Sequence, residues 1–221
     1  MTNSKLKYFL RQLLRILEKI PGINLVQSVE IYGLRILMTP KVASRTIRNH
    51  LLRYHNQPLD RLDHAWYYIE YHTRKEYARN VNKSDIIVLR HPLERLHSCW
   101  KQKVDNFSNG KLFYFWYYWP LIKPKQSFEE FLYAISLIPP ALCEKHFIPI
   151  TWNIEDACKK ATVIAIDDLD KFLEKNRIGE DLKRANVTSK TKITEEARRF
   201  FDNHLAERHS YELDLLSNIR R

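Results

Sequence analysis

The chain has 221 residues, of which 44% are hydrophobic, enough to bury the core of one α/β domain with additional helices. Its formal net charge of +11 favours anionic partners: nucleic acid, acidic glycans, membrane surfaces or polyphosphate nucleotides. The three cysteines, Cys99, Cys143 and Cys158, form no CxxC pair and no cluster with metal-ligand spacing, which excludes a zinc-type motif and predicts structural thiols.

The N-terminal segment, residues 5–20, is apolar but carries a lysine or arginine at every fourth position. That spacing places the cations on one face of a helix, which ends at Pro21-Gly22. The helix is either an outer helix packed on the domain or one that lies on a membrane surface. Because the chain has no run of ~18 apolar residues, no transmembrane helix is expected.

Short apolar runs alternate with helical patterns along the rest of the chain. Strands are predicted over residues 31–38, 66–71, 85–89 and 161–166. Helices are predicted over residues 44–54, 93–106, 169–176 and 194–218, the first with Ile47, Leu51 and Leu52 inward. The alternation predicts an α/β fold with a mostly parallel central sheet flanked by helices in three layers.

A first loop of seven residues, 40–46 (PKVASRT), joins a predicted strand to a predicted helix. Unpaired backbone N–H groups at a helix N-terminus bind phosphate, Lys41 adds a full charge, and Ser44 and Thr46 add hydroxyl donors. The arrangement is P-loop-like, but the glycines and the Gly-Lys-Ser/Thr ending of an ATPase loop are absent. A merely capped helix after a strand remains the alternative at this point.

A second loop, residues 90–98 (RHPLERLHS), follows the buried strand DIIVL. Arg90 stands at the carboxyl end of that strand, where α/β folds bind ligands, and Pro92 suits the first turn of a helix. A guanidinium and the hydroxyl of Ser98 together suit one phosphate. For Glu94, a local ion pair with Arg95 that fixes the loop is favoured over a direct role. Two such loops suit a nucleotide with phosphate at both its 5′ and 3′ positions.

The two loops resemble those of the family 2 carbohydrate sulfotransferases, which use 3′-phosphoadenosine 5′-phosphosulfate (PAPS). The first loop is similar to the family's Pro-Lys-x-Ala-Ser-Thr-Ser/Thr, although Arg45 replaces a hydroxyl residue. The second is similar to Val-Arg-Asp/His-Pro-Phe-Glu-Arg-Leu-x-Ser, with His97 where an apolar residue is common. Weaker likenesses follow at residues 144–149 (EKHFIP) and 163–172, so the resemblance covers roughly residues 31–175.

The resemblance implies a single sulfotransferase domain over residues 1–221, with an N-terminal amphipathic helix (1–22), a PAPS-binding core (31–175) and a C-terminal helix (190–221). It implies transfer of a sulfuryl group to a hydroxyl of a carbohydrate-type acceptor, with adenosine 3′,5′-bisphosphate as product and no metal. Lys41 would stabilise the bridging oxygen of the donor. The donor-binding residues would be Lys41, Val42, Ala43, Ser44, Arg45, Thr46, Arg90 and Ser98.

The acceptor hydroxyl needs a base, and an imidazole with an ordinary pKa near 6.5 suits that task. His64 is the first candidate, because related glycan sulfotransferases place a catalytic histidine between the two loops. His146 is the second, with shaping of the acceptor pocket as its other role, and His72 is the third. The aromatic block at residues 113–119 lines an acceptor cleft or forms part of the core. Lys101 and Lys103 either meet an acidic acceptor or are only solvated.

Two other functions remain open on the sequence. A P-loop-type phosphotransferase would need carboxylates for magnesium, for which Asp167 and Asp168 are available. A nucleic-acid-binding protein is compatible with the charge, but no zinc, helix-turn-helix or RRM pattern is present, so no nucleic-acid partner is expected. A cytoplasmic location is expected, and peripheral contact with a membrane through residues 5–20 is left open. Three Asn-x-Ser/Thr sequons leave the Golgi lumen as the alternative.

Overall fold

The computed structural model describes residues 25–31, 33–39, 42, 47, 51–52, 54–55, 74–77, 80–105, 118, 120–143, 146–176 and 192–219. For residues 25–27, 74–77, 141 and 151–153 it describes the backbone alone. In this part of the chain no helix has the length and apolar character needed to span a bilayer. The predicted N-terminal helix and the predicted strand over residues 66–71 lie outside the described residues.

A five-stranded sheet organises the described residues. Its strands are β1 (Leu25–Ile31), β2 (Leu34–Met38), β3 (Arg74–Tyr77), β4 (Ile86–Leu89) and β5 (Thr162–Ala165). They lie in the order β3-β1-β2-β4-β5. β1 is antiparallel to both of its neighbours, whereas β2, β4 and β5 are mutually parallel. The predicted α/β fold with a mostly parallel sheet is confirmed.

The predicted strand over residues 31–38 is wrong in one respect, because a turn divides it. Ile31 ends β1 and pairs with Leu34, the first residue of β2, so the two strands form a tight hairpin. Gly33 in the turn has φ = 75°, a left-handed conformation that glycine adopts without the cost of a Cβ. The hairpin places β1 beside β2, and β3 pairs with the other edge of β1. Both strands therefore lie on one side of the parallel strands.

The described residues include the helices α1 (Pro92–Trp100), α2 (Phe128–Leu137), α3 (Thr151–Lys160), α4 (Leu169–Lys175), α5 (Glu195–His204) and α6 (Ser210–Ile219). The predicted helix over residues 93–106 is α1, continued by one π-helical turn at Lys101–Asp105. The continuous helix predicted over residues 194–218 is wrong, because a 3₁₀ turn at Glu207–His209 separates α5 from α6. The sequence reasoning missed α2 and α3.

Two hydrophobic cores hold these elements together. One joins the sheet to α3, α4 and α6. It includes Ile47, Leu51 and Leu52, which were predicted as the inner face of the helix over residues 44–54. The other joins α1, α2 and α5 around Phe131, Phe147 and Phe201. Helix α1 therefore leaves the sheet edge and enters the second core at once, which fixes its direction relative to the strands.

The three cysteines are free and buried, as predicted. Cys99 and Cys143 lie in the second core, and Cys158 lies in the first. Burial, followed by the nearby Glu212 and Glu155 carboxylates, raises the pKa of the Cys158 thiol to about 12. Because a thiolate is the reactive form, Cys158 is a packing residue rather than a nucleophile.

Candidate functional site

The strands β2 and β4, which precede the two predicted phosphate loops, are parallel neighbours with a register fixed at both ends. At the amino end, Arg35 on β2 forms an ion pair with the buried Asp85, including a bond from Nε to Oδ1 of 2.7 Å. At the carboxyl end, the buried Thr39 donates from Oγ1 to the carbonyl of Val88 at 3.1 Å. Since the carboxyl ends of parallel strands meet at one edge, both loops start from that edge.

The first loop turns sharply away from β2. The backbone N–H of Val42 donates to the carbonyl of Thr39 at 3.4 Å, and the Val42 side chain is fully buried. Ile47 and Leu51, further along the chain, are helical and are buried in the core that joins the sheet to α3, α4 and α6. The buried side chain of Val42 and its bond to Thr39 thus fix the position of this residue within the loop. The other predicted donor-binding positions of this loop, Lys41, Ala43, Ser44, Arg45 and Thr46, lie outside the described residues, as does His64.

The second loop presents Arg90 immediately after β4. Its Nε contacts Oε2 of Glu94 at 3.3 Å, four residues further along the chain. The Arg90 side chain is 21% exposed, so the guanidinium is held against the protein yet open to solvent. Glu94 therefore forms a local ion pair as the sequence favoured, but the predicted partner is wrong: Glu94 pairs with Arg90, whereas Arg95 is turned into the core.

Ser98 lies on the same stripe of α1 as Glu94, because residues four apart share one helix face. Pro92 occupies the first turn of the helix and is buried with Leu93 and Leu96. The stripe that carries Glu94 and Ser98 is instead exposed or half-buried. Arg90 and Ser98 are consequently both partly accessible to solvent, whereas Pro92, Leu93 and Leu96 are buried in the core.

His97, the residue that departs from the family pattern, is an aromatic core residue. Its ring lies 5.3 Å from that of Trp100 and 4.9 Å edge-on from that of Phe128. Burial, and then the positive charges of Lys101 and Arg90, lower the pKa of His97. The imidazole is therefore neutral at pH 7 and replaces an apolar side chain without adding charge to the core.

His146, in the EKHFIP segment, is half-buried and lies in a turn. Its Nδ1 lies 3.0 Å from Nζ of Lys103, and its carbonyl accepts from Nη1 of Arg95 at 2.9 Å. A lysine ammonium has three donors and no acceptor, so Nδ1 must be the acceptor and the ring proton must sit on Nε2. In that tautomer Nε2 is a hydrogen-bond donor, which suits binding a substrate better than removing a proton. Lys103 is not merely solvated.

Sequence reasoning missed a buried cluster beside the second loop. Arg95, which the sequence offered only as a local ion-pair partner, is completely buried on α1, and so are His209 and Glu212. Nη2 of Arg95 lies 3.6 Å from Oε2 of Glu212, which also contacts Nδ1 of His209 at 2.9 Å. No local spacing joins Arg95 to His209 and Glu212, because Arg95 lies in a distant part of the chain. The helical period does place Arg95 on the same side of α1 as the buried Pro92 and Cys99.

The third parallel strand brings carboxylates to the same edge. Asp167 and Asp168 follow β5 in a 3₁₀ turn and are exposed. Across the described ranges, no group of three or more His, Cys, Asp or Glu side chains has the arrangement to hold a metal ion.

Sheet and loops together define an α/β protein with Arg90 at the carboxyl edge of its parallel strands. A profile of the sulfotransferase family matches residues 30–221, most of the chain. The chain belongs to the sulfotransferase family, and its assignment to family 2 is confirmed. Searches of curated proteins and of solved structures gave no significant match.

Proposed function

We propose that the chain transfers a sulfuryl group from PAPS to a hydroxyl of a carbohydrate-type acceptor. Membership of the sulfotransferase family supports the transfer itself. One geometric observation supports the donor: the two loops leave adjacent parallel strands whose carboxyl ends are joined by the bond from Thr39 to Val88. Loops this close suit a single nucleotide that carries phosphate at both ends.

In the proposed reaction the acceptor oxygen bonds to sulfur while the bond from sulfur to the bridging oxygen of the donor breaks. Negative charge then grows on that bridging oxygen, and Lys41 is the proposed group that stabilises it. Backbone N–H groups of residues 42–46, with Ser44 and Thr46, are proposed to hold the 5′-phosphate. The acceptor proton passes to a base, for which His64 is the proposed residue.

Arg90 and Ser98 are the proposed ligands of the 3′-phosphate. The ion pair with Glu94 keeps the Arg90 guanidinium near the strand end before any ligand arrives, which lowers the ordering cost of binding. His146 is proposed to bind the acceptor through its Nε2–H, because Lys103 occupies its other nitrogen.

Removing the 3′-phosphate ligands should weaken binding of a nucleotide only when that nucleotide carries a 3′-phosphate. Hydrogen bonds to charged groups contribute about 1.5–3 kcal/mol each, so Arg90→Ala should raise the Kd of adenosine 3′,5′-bisphosphate about 10- to 100-fold. Ser98→Ala removes a neutral donor on a half-buried side chain, for which about 0.5–1.5 kcal/mol applies, so it should raise the Kd about 3- to 10-fold. Isothermal titration calorimetry with the bisphosphate and with AMP measures both effects.

Lys159→Ala is the matched control, since it also removes one cation. Lys159 lies on α3 shortly before β5 begins, at the amino end of the sheet, and pairs with Glu155. It should leave both affinities unchanged. Equal affinity of the unmutated protein for the bisphosphate and AMP would contradict the proposed donor, and transfer of labelled sulfate to a panel of glycans then tests the acceptor.

A magnesium-dependent phosphotransferase is the second candidate, because Asp167 and Asp168 are exposed where β5 ends on the same sheet edge. The two functions separate on one comparison. Tighter binding of ATP with magnesium than of adenosine 3′,5′-bisphosphate, together with loss of that binding in Asp167→Asn, would favour phosphoryl transfer.

A further inference from the structure

The buried Arg95 connects the two sides of the candidate site. Its Nη1 donates to the carbonyl of His146 at 2.9 Å, and its Nη2 donates to the carbonyl of Ile148 at 2.8 Å. A guanidinium offers its donors in a rigid planar fork, so two carbonyls of one short segment fix both the position and the direction of that segment. Arg95 thereby ties the segment with His146 to helix α1.

Helix α1 also carries the donor side of the site. Arg95 lies between Glu94, which holds Arg90, and Ser98 on a helix of nine residues. A short helix moves as one body, so any shift of Arg95 displaces Ser98 relative to the sheet edge. One side chain thus sets the distance between the proposed 3′-phosphate ligands and the proposed acceptor ligand.

The C-terminal helices hold Arg95 in turn. Glu212 on α6 is fully buried, with Oε2 at 3.6 Å from Nη2 of Arg95 and at 2.9 Å from Nδ1 of His209. A second contact runs parallel to this one: the His91 ring lies 6.1 Å from that of Phe201, which lies 5.7 Å from that of His209. The second loop therefore touches the C-terminal region at two points.

Stability alone does not account for this cluster. Burying an ion pair costs nearly as much desolvation energy as the attraction returns, and well-packed apolar residues of similar volume often give equal or greater stability. The cost is visible in the described residues, where Nε of Arg95, Oε1 of Glu212 and Nε2 of His209 have no hydrogen-bond partner. Apolar residues could not supply the two directed hydrogen bonds that Arg95 donates to the backbone carbonyls of His146 and Ile148.

We propose that Glu212, supported by His209, is a positioning residue: it orients the Arg95 guanidinium, which sets helix α1 and the His146 segment at the spacing that the donor nucleotide and the acceptor require. The inference rests on the proposed function for the identity of those ligands. Glu212 touches neither of them and acts through Arg95.

The test combines two variants that separate positioning from stability. The double variant Arg95→Met with Glu212→Leu removes both charges together, so no unpaired charge is left in the core. Because it also removes the partners of the His146 and Ile148 carbonyls and of Nδ1 of His209, we expect it to fold with a lowered unfolding temperature. It should bind adenosine 3′,5′-bisphosphate about tenfold more weakly, with AMP affinity changed less than twofold. Glu212→Gln, which keeps the size and one acceptor, serves as the second variant should the double variant not fold. Glu196→Gln, an exposed position on α5, is the matched control.

A second readout does not depend on the nucleotide. The imidazole ¹⁵N shifts of His146 report its contact with Lys103, and they should change in the double variant and in Glu212→Gln but not in Glu196→Gln. Unchanged bisphosphate affinity and unchanged His146 shifts in folded variants would overturn the positioning role. Failure of the unmutated protein to distinguish the bisphosphate from AMP would contradict the proposed function instead, and the His146 shifts would then decide the positioning role alone.

Discussion

At the scale of single residues, His146 shows how one neighbour defines a chemical role. Lys103 reaches Nδ1 at 3.0 Å, and a cation there leaves the ring proton on Nε2. The sequence left His146 as either a base or a pocket residue, and this contact favours the second. His64 remains the proposed base.

We expect ¹⁵N–¹H correlation spectra to show the Nε2–H tautomer of neutral His146. Lys103→Met removes the donor to Nδ1 while keeping the length of the side chain, so both tautomers should become populated and the two nitrogen shifts should move toward each other. Lys101→Met, at a neighbouring lysine, should leave the His146 signals in place. An Nδ1–H tautomer in the unmutated protein would contradict the assignment.

His97 yields a pH prediction. Burial and nearby cations lower its pKa in the folded state below the ordinary 6.5, so the unfolded chain binds more protons as pH falls through that value. His97 therefore costs no stability above about pH 7 and destabilises the fold progressively as the pH falls below 6.5. His97→Phe, which keeps the aromatic packing, should flatten the decline of Tm between pH 7.5 and 5.5.

Calorimetric melting at several pH values measures this effect. His204→Phe is the control, because His204 is exposed at the end of α5. Parallel Tm profiles for His97→Phe and the unmutated protein would show that His97 is not the group responsible.

At the scale of elements, the pairing of β2 with β4 determines where both loops begin. Asp85 has its pKa lowered: burial by itself raises that pKa, but the hydrogen bond from Arg35, the N–H of Asn82 and the charge of Arg35 together outweigh burial. Because Arg35 lies on β2 and Asp85 immediately precedes β4, their ion pair fixes the register at the end of the strands remote from the candidate site.

Asp85→Asn should destabilise the fold by about 2 kcal/mol at pH 7, the typical value of hydrogen bonds to a charged group. A lowered pKa means that this stabilisation exists above the ordinary carboxyl pKa of 3.8 and disappears as the pH falls below it. The difference between the two proteins in urea unfolding should therefore shrink toward pH 3. Asp156→Asn, at an exposed position on α3, should have little effect at either pH. A constant difference across that range would contradict the ion-pair explanation.

Local patterns predicted the elements and contacts that lie close in sequence. The run DIIVL became β4, and Glu94 forms the local ion pair that the sequence favoured, although its partner is Arg90, two residues before the helix begins. Helix α2 was missed even though Ser127 and Glu130 form a capping box, a signal that the sequence does contain. The hairpin at Gly33 was missed because residues 31–38 form one apolar run that predicts a single strand, although Gly33 within it has a left-handed conformation.

Long-range contacts were beyond such patterns. Arg95 appears in the sequence as a local partner of Glu94, and Glu212 as one acid among apolar residues of α6; only the fold brings Arg95 and Glu212 together. The same holds for Lys103 and His146, which lie on different elements. The predicted phosphate ligands were accessible to motif reasoning, whereas the residues that hold them in place required the tertiary structure.

At the scale of the whole molecule, the two cores meet along α1 and α6. The first core contains the sheet and the second contains the helices around Phe131, and the contact of Arg95 with Glu212 crosses between them. Glu212, near one end of the described chain, therefore supports a candidate site whose loops lie in the first half of the chain.

The burial of Glu212 has a consequence for how the protein is made. The ribosome completes Arg95 long before it reaches residue 212, and until then the guanidinium has no carboxylate to accompany it out of water. The nascent chain can form the hairpin and the parallel strands early, but α1 can settle only once α6 has emerged. A polypeptide that ends before α6 would contain both loops, but its second loop would lack the buried carboxylate that holds α1 in place.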